Sequence, residues 1–291
     1  MELNQPFVFQ SDSEIVNTVY RNDPNYIIEY NEDNPKDYCI IYFSSHNIYN
    51  PNTAEDFERD VLRKNRYEWY GLRLQFGHKH IFIRDIIKQW YLTGINATIS
   101  DPDKLLAFLK QETSGYKVIM LGSSAGGFAS VLYGQLLGAE RIYSFNGQFE
   151  VNSMLLTSDP SKDPILFRKK DDAYLRPFYD SRSFLKTPAT VSYFYSRNSD
   201  WDKEQSEYMR GTGINFIGFS TSHHGIPFLK DNLKDVLHLS VSDLSKLYGR
   251  SFHPLLFSFR ISGIAVTVKA LWNVAMLVFG RILSKLLRKK K

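Results

Sequence analysis

The residues best suited to chemistry sit in one short run. Positions 117–130 read Lys-Val-Ile-Met-Leu-Gly-Ser-Ser-Ala-Gly-Gly-Phe-Ala-Ser. Val118 to Leu121 predicts a buried strand and Phe128 to Leu137 a helix, and the five residues between strand and glycine pair match G-x-S-x-G (Gly122, Ser124, Gly126). A strand, this pentapeptide and a helix in succession describe a nucleophile elbow, in which a tight turn leaves the Ser124 hydroxyl on a strained, exposed corner. The amide of Ala125 and the positive end of the following helix would then face an oxyanion forming beside that hydroxyl.

A serine hydroxyl is a weak nucleophile until an imidazole takes its proton, and the imidazole needs a carboxylate to hold its tautomer. Both groups occur in order further along the chain. The loop after a predicted strand at Ala189 to Tyr195 offers Asp202 or Asp200. Asp202 is preferred because it opens a predicted helix at Lys203 to Met209, whereas Asp200 could serve as that helix's cap. The loop after a predicted last strand at Ile214 to Phe219 offers His224 or His223, and His224 is preferred because Gly225 permits the sharp turn the loop needs. A second oxyanion donor is expected from the loop after an early strand, where Ser44-Ser45-His46 stands; Ser45 is the first candidate and His46 the further one.

These residues need a frame, and the pattern supplies one. Short β-like runs occur at Phe7-Val8-Phe9 and Tyr26 to Tyr30, with a clear strand at Cys39 to Phe43 and another at His80 to Arg84. Residues 53–66 look helical behind a Thr53 cap, and Asp101 to Gln111 is a helix with Pro102 at its first position. Arg141 to Phe145 is a strand after the elbow helix. Strands alternating with helices predict an α/β fold: a mainly parallel central sheet with helices on both faces. The expected organisation is one domain over 1–250 and a tail over 251–291. Residues 148–188 break the alternation with Pro160, Pro164 and Pro177, several aromatics and Arg168-Lys169-Lys170. They read as a lid-like insertion whose three cations could meet an anionic or sugar-containing substrate, or as a solvated connection.

Composition narrows the classes. The chain has 291 residues, 43% hydrophobic and 15% aromatic, enough for a full core. Its one cysteine, Cys39, lies in a strand-like run, so no disulfide can form within the chain. The net charge is +5, yet the last eleven residues hold six basic residues and no acid, so the rest is nearly neutral. A neutral body without a basic stripe points away from nucleic acid. His78 and His80 lack a third ligand at metal spacing, and no phosphate-cradling glycine loop is present. No secretory signal is read at the N-terminus, so the cytoplasm is the expected compartment.

The tail has its own pattern. Ile261, Ile264, Val268, Leu271, Trp272, Ala275, Val278, Phe279, Ile282 and Leu286 recur at helical spacing, with Lys269, Asn273, Lys285 and Arg288 on the other side. The stretch 261–280 has the length of a bilayer span, but Lys269 near its middle would cost about 3 kcal/mol there. An amphipathic helix on the inner membrane surface, with the basic end on anionic lipid, is the expectation.

Five segments together carry a resemblance: Tyr42-Phe43-Ser44-Ser45-His46; Phe82-Ile83-Arg84-Asp85 with Gln89-Trp90-Tyr91; Gly122 to Gly127; Ser144-Phe145-Asn146-Gly147-Gln148; and His224-Gly225. Over residues 38–228 the chain resembles bacterial polysaccharide O-acetyltransferases of α/β-hydrolase fold. The resemblance implies that Ser124 accepts an acetyl group from acetyl-CoA and passes it to a sugar hydroxyl, with His224 as base and Asp202 as acid. It implies a capsular or surface polysaccharide, or a lipid-linked glycan, as acceptor, and capsule-synthesis glycosyltransferases as neighbours. Two alternatives share these residues: an esterase or deacetylase using water, and a non-catalytic, membrane-associated assembly factor.

Overall fold

The computed structural model describes residues 7–157 and 168–288. Part of the expected lid (158–167) and the last three lysines lie outside the described residues. Among the described residues eight strands form one sheet: β1 (Tyr26–Tyr30), β2 (Tyr38–Phe43), β3 (Lys79–Ile83), β4 (Lys117–Ser123), β5 (Arg141–Phe145), β6 (Val191–Ser196), β7 (Asn215–Phe219) and β8 (Arg250–Phe252). Their order is β1-β3-β2-β4-β5-β6-β7-β8. Only the pairing of β1 with β3 is antiparallel; every other neighbouring pair is parallel.

Parallel strands put all their carboxyl ends at one edge, and that edge is where side chains from distant segments can meet. The sheet is buried on both faces, as a parallel sheet must be. Cys39, Ile41, Phe43, Met120 and Tyr193 face one core with the helices α4 (Pro102–Glu112) and α5 (Ala125–Leu137), reached after three earlier helices, α1 (Phe9–Asp12), α2 (Glu14–Asn22) and α3 (Ala54–Phe57). Ile40, Tyr42, Ile119, Leu121 and Phe194 face the other, under Trp69, Val236, Leu244 and Phe257. The alternation of neighbours such as Ile40 and Ile41 between the two cores is the two-residue period of a strand.

Several expectations are refined and a few corrected. Asp101 caps α4 by accepting from the Lys104 amide at 2.8 Å, with Pro102 at the first position. Thr53 caps α3, which continues as a π-helical turn, Glu58–Arg63. The β-like reading of Phe7 to Phe9 fails: Val8 caps α1, because Asp12 Oδ2 accepts the Val8 amide at 2.8 Å and closes a helical turn. The sheet does not end at Phe219, since β8 adds a strand whose three residues are too few to show a period. The boundary expected after residue 250 falls inside β8, and Phe257 beyond it is wholly buried in the second core.

The elbow glycines serve close approach. A Cβ on Gly122 would lie 2.1 Å from the Gly126 carbonyl oxygen, and one on Gly126 would lie 2.3 Å from the Phe43 carbonyl oxygen. The first turn of α5 is thereby pressed against the end of β2. Gly126→Ala must push these backbones apart, and overpacking of this kind costs about 1–3 kcal/mol. A thermal melt of the variant should show its midpoint lowered by several degrees, whereas Gly138→Ala, where a Cβ meets no atom within 4 Å and only φ is strained, should cost less.

Candidate active site

Ser124 stands between β4 and α5 with φ 52° and ψ −122°, a conformation non-glycine residues avoid. Its amide donates to the Phe145 carbonyl at 3.0 Å and its carbonyl accepts from Phe128 at 3.0 Å, so both backbone groups are fixed. The side chain is left half-exposed on the corner.

His224 reaches it from the loop after β7. Its Nε2 lies 2.9 Å from Ser124 Oγ, and its Nδ1 lies 2.8 Å from Asp202 Oδ1. A carboxylate only accepts, so Nδ1 carries the proton and donates to Asp202; Nε2 then offers its lone pair to the serine O–H. Asp202 lies in the first turn of α7 (Asp200–Tyr208), which follows the short helix α6 (Asn152–Thr157), and it is 1% exposed. Among the described residues its Oδ2 has no hydrogen-bond partner. A buried carboxylate so incompletely satisfied gains from positive charge arriving on the imidazole opposite it. Asp200 and His223 are both exposed, and the structure brings neither to Ser124.

Three further residues hold the histidine, and no role for them follows from sequence spacing. Trp201 stacks on the His224 ring, centroids 5.0 Å apart and planes 19° from parallel. Asn146, at φ 44° just past β5 and fully buried, donates from Nδ2 to the carbonyls of His223 at 3.1 Å and Gly225 at 3.0 Å and to Ser196 Oγ at 2.9 Å. Its Oδ1 accepts the Ser196 amide at 2.8 Å, and Ser196 Oγ donates to the His223 carbonyl at 2.6 Å. One amide side chain therefore ties the histidine loop to the ends of β5 and β6. Asn followed by Gly at a strand end signals a left-handed turn, which is the one sequence cue that could have singled out Asn146.

The oxyanion side is partly assembled. The Ala125 amide opens α5 beside Ser124, as the elbow requires. The Ser45 amide is engaged elsewhere, donating to Glu68 Oε2 at 2.6 Å, while Glu68's own amide donates to Ser44 Oγ at 3.2 Å. Ser45 could therefore serve as a donor only after Glu68 withdraws. His46 packs its ring edge-on to Trp90, centroids 4.4 Å apart, and burial with the nearby Lys88 ammonium holds its imidazole well below its usual range. Trp90 belongs to a loop with positive φ at Lys88, Trp90 and Tyr91. Asp85 holds that loop by accepting the amides of Ile87, Lys88, Gln89 and Tyr91, and burial still pushes its carboxyl up to about 6.

The basic run of the insertion has other attachments. Arg168 is committed to Asp12 of α1, with contacts of 2.8 and 2.9 Å, so its charge is matched there. Lys169 accepts the Tyr179 hydroxyl on its carbonyl at 2.6 Å, and Lys170 is exposed. His78 and His80 are buried with ring nitrogens on backbone carbonyls and the Tyr42 hydroxyl. Among the described residues no group of three His, Cys, Asp or Glu could hold a metal ion.

Removing the clamp tests the geometry without reference to a substrate. Asn146→Ala should slow covalent labelling of Ser124 by a fluorophosphonate probe on the order of 10²-fold, since small misplacements of a base are that costly. The fraction of protein that finally labels should stay unchanged; a role confined to stability would lower that fraction and leave the rate alone.

No protein-family model matches the chain, and no curated protein matches it by sequence. Solved structures do. The capsule O-acetyltransferase of Neisseria meningitidis serogroup A superposes with a TM-score of 0.46 at 14% identity, over 67% of this chain and 82% of that one, and another structure of it is a complex with CoA. The Gap123 glycosylation-associated complex of Streptococcus agalactiae gives 0.45 at 13% identity, over 66% of this chain and 39% of that one. An inhibited esterase B of Lactobacillus rhamnosis gives 0.40 at 12% identity, over 69% and 77%. With its parallel sheet behind one antiparallel edge strand, its strained serine between strand and helix, and acid and histidine after β6 and β7, the chain has an α/β-hydrolase fold.

Proposed function

We propose that this protein is a serine-dependent acyltransferase that moves an acetyl group from acetyl-CoA to a hydroxyl of a bacterial surface polysaccharide or its lipid-linked precursor. The observation that carries the reading is the unbroken relay from Asp202 through His224 to Ser124, at 2.8 and 2.9 Å, ending on a serine held at φ 52°. The choice of donor and acceptor draws its support from the resemblance of the five motif segments to polysaccharide O-acetyltransferases.

In the first half-reaction Ser124 Oγ attacks the acetyl carbonyl as His224 Nε2 takes the hydroxyl proton. Charge develops on the carbonyl oxygen, where the Ala125 amide and the first turn of α5 receive it. The C–S bond then breaks, and the imidazolium returns its proton to the departing thiolate. In the second half-reaction a sugar hydroxyl gives its proton to His224 and attacks the acetyl–Ser124 ester; collapse of that intermediate frees Ser124, which regains a proton from the imidazolium. The Asp202 carboxylate stabilises the positive ring in both halves. Water would complete the same cycle as hydrolysis, so excluding it around the ester decides the outcome.

Two incubations separate the readings. With acetyl-CoA and deacetylated polysaccharide, the protein should release free CoA thiol and acetylate the glycan; Ser124→Ala should abolish both, and Asp202→Asn should reduce the rate roughly 10⁴-fold. If acetylated polysaccharide alone is instead stripped to acetate at a comparable rate, the protein is an esterase. A wild-type protein that neither transfers, hydrolyses nor labels at Ser124 would leave only a non-catalytic role.

A further inference from the structure

We infer that the C-terminal helix docks this protein onto an anionic lipid surface by lying in its plane, on a stripe formed by Ile264, Val268, Trp272 and Met276, and that it does not cross the bilayer. The helix, α10, runs Pro254–Arg288 after two short helices, α8 (Leu233–Leu237) and α9 (Val241–Ser245). By length and composition its part Pro254–Asn273 could span a membrane. Two features of its packing decide against that.

The first is a break. Gly263 has φ 77° and ψ 178°, which divides the helix into two segments. It falls inside Pro254–Asn273, so that stretch is not one continuous helix of spanning length. The segment before the break belongs to the folded domain: Phe257 and Ser258 are wholly buried, and Ser262 Oγ accepts from Asn232 at 2.6 Å and donates to Asp235. The second feature is a seam. Beyond the break Thr267 and Ala270 are also buried, three residues apart on one side of the helix. One flank of the second segment is thus covered by protein and cannot be surrounded by lipid.

The opposite flank is bare and apolar. Ile264 is 73% exposed, Val268 53%, Trp272 66% and Met276 53%. Steps of four residues place them in one stripe along the helix. Patches of this kind mark an interaction surface. The occupant follows from charge: from Pro254 to Lys291 the sequence holds eight basic residues and no acid. An apolar stripe on a helix whose charged residues are all cations complements an anionic lipid surface, whose headgroups meet the cations while its acyl boundary takes the stripe. Lys269, one residue past Val268 and exposed, sits at the rim where it reaches headgroups.

Full-length protein should cosediment with phosphatidylcholine vesicles containing phosphatidylglycerol at least tenfold more strongly than with phosphatidylcholine alone, and salt should weaken the association. An alkaline carbonate wash should release it, and Trp272 emission should shift to the blue on binding. Ile264→Asn, Val268→Asn and Trp272→Ala together should cut binding at least tenfold without moving the melting midpoint, because all three side chains are exposed. Retention through the carbonate wash would overturn the inference in favour of a span. Equal binding to both vesicle types would overturn the role of charge. A concentration-dependent dimer abolished by the triple substitution, with no vesicle binding by the wild type, would assign the stripe to a second copy of the chain. The lipid arms use the wild-type protein, so they decide even if the triple variant misfolds.

Discussion

The arrangement depends on a backbone conformation that the surrounding packing imposes on Ser124. A serine at φ 52° is strained by an amount on the order of 1–3 kcal/mol, and it stays there only because its neighbours leave no alternative. Gly122 lets the Gly126 carbonyl approach where a Cβ would stand, and Gly126 does the same for the Phe43 carbonyl. The helix start is wedged between two strands, and the Phe145 carbonyl pins the Ser124 amide from a third. Four segments converge on one corner, so the strain is distributed through the centre of the sheet and cannot relax locally.

The corner would be inert without a base from 100 residues away, and bringing a loop histidine that far is an entropic problem. The structure meets it with constraints of different kinds acting on one ring. Asp202 fixes the tautomer through Nδ1, Trp201 fixes the ring plane, and Asn146 fixes the backbone through the carbonyls on either side. Trp201 and Asp202 are adjacent on α7, so one helix start, itself capped by Ser199, supplies two of the three. The third comes from the turn after β5, next to the carbonyl that pins Ser124. Nucleophile and base are thus referenced to the same strand end.

What could be read from the sequence follows the range of the interactions. The elbow was legible because strand, glycine spacing and helix are all local, and Asp101 at the start of α4 was legible for the same reason. The order of serine, acid and histidine was legible because chain order survives folding in a parallel sheet. Asp202 over Asp200 and His224 over His223 rested on a helix start and on the turn that Gly225 permits, and in the structure the preferred member of each pair is the less exposed one. The Phe7–Phe9 run misled because a side-chain bond from Asp12 outweighs the weak β preference of three residues. β8 is three residues long, too short for a period. Glu68 on the Ser45 amide, and Asp12 on Arg168, left no trace in the sequence, since each joins segments that no local pattern relates.

The first of these contacts bears on how an acyl-serine would be handled in the proposed mechanism. The Ser45 amide, expected from the sequence as a second oxyanion donor, is engaged by the Glu68 carboxylate, whereas Ala125 opens α5 directly after Ser124. The Ser44–His46 loop is not otherwise free to adapt. Tyr91 donates its hydroxyl to the Ser44 carbonyl at 2.6 Å, the His46 ring accepts the Trp90 amide, and the Trp90 indole donates to Gln148 at 2.9 Å. Loops following β2, β3 and β5 are knitted together, and the strained Asp85–Tyr91 turn is the knot. Glu68 is half-exposed and held to the loop by its carboxylate and its amide. In the proposed mechanism an oxyanion at the Ser45 amide would compete with the Glu68 carboxylate for one N–H, and because both are negative each would disfavour the other. Were the Ser45 amide the second donor of the proposed acyl transfer, withdrawal of Glu68 would free it and remove a repulsive charge in one displacement.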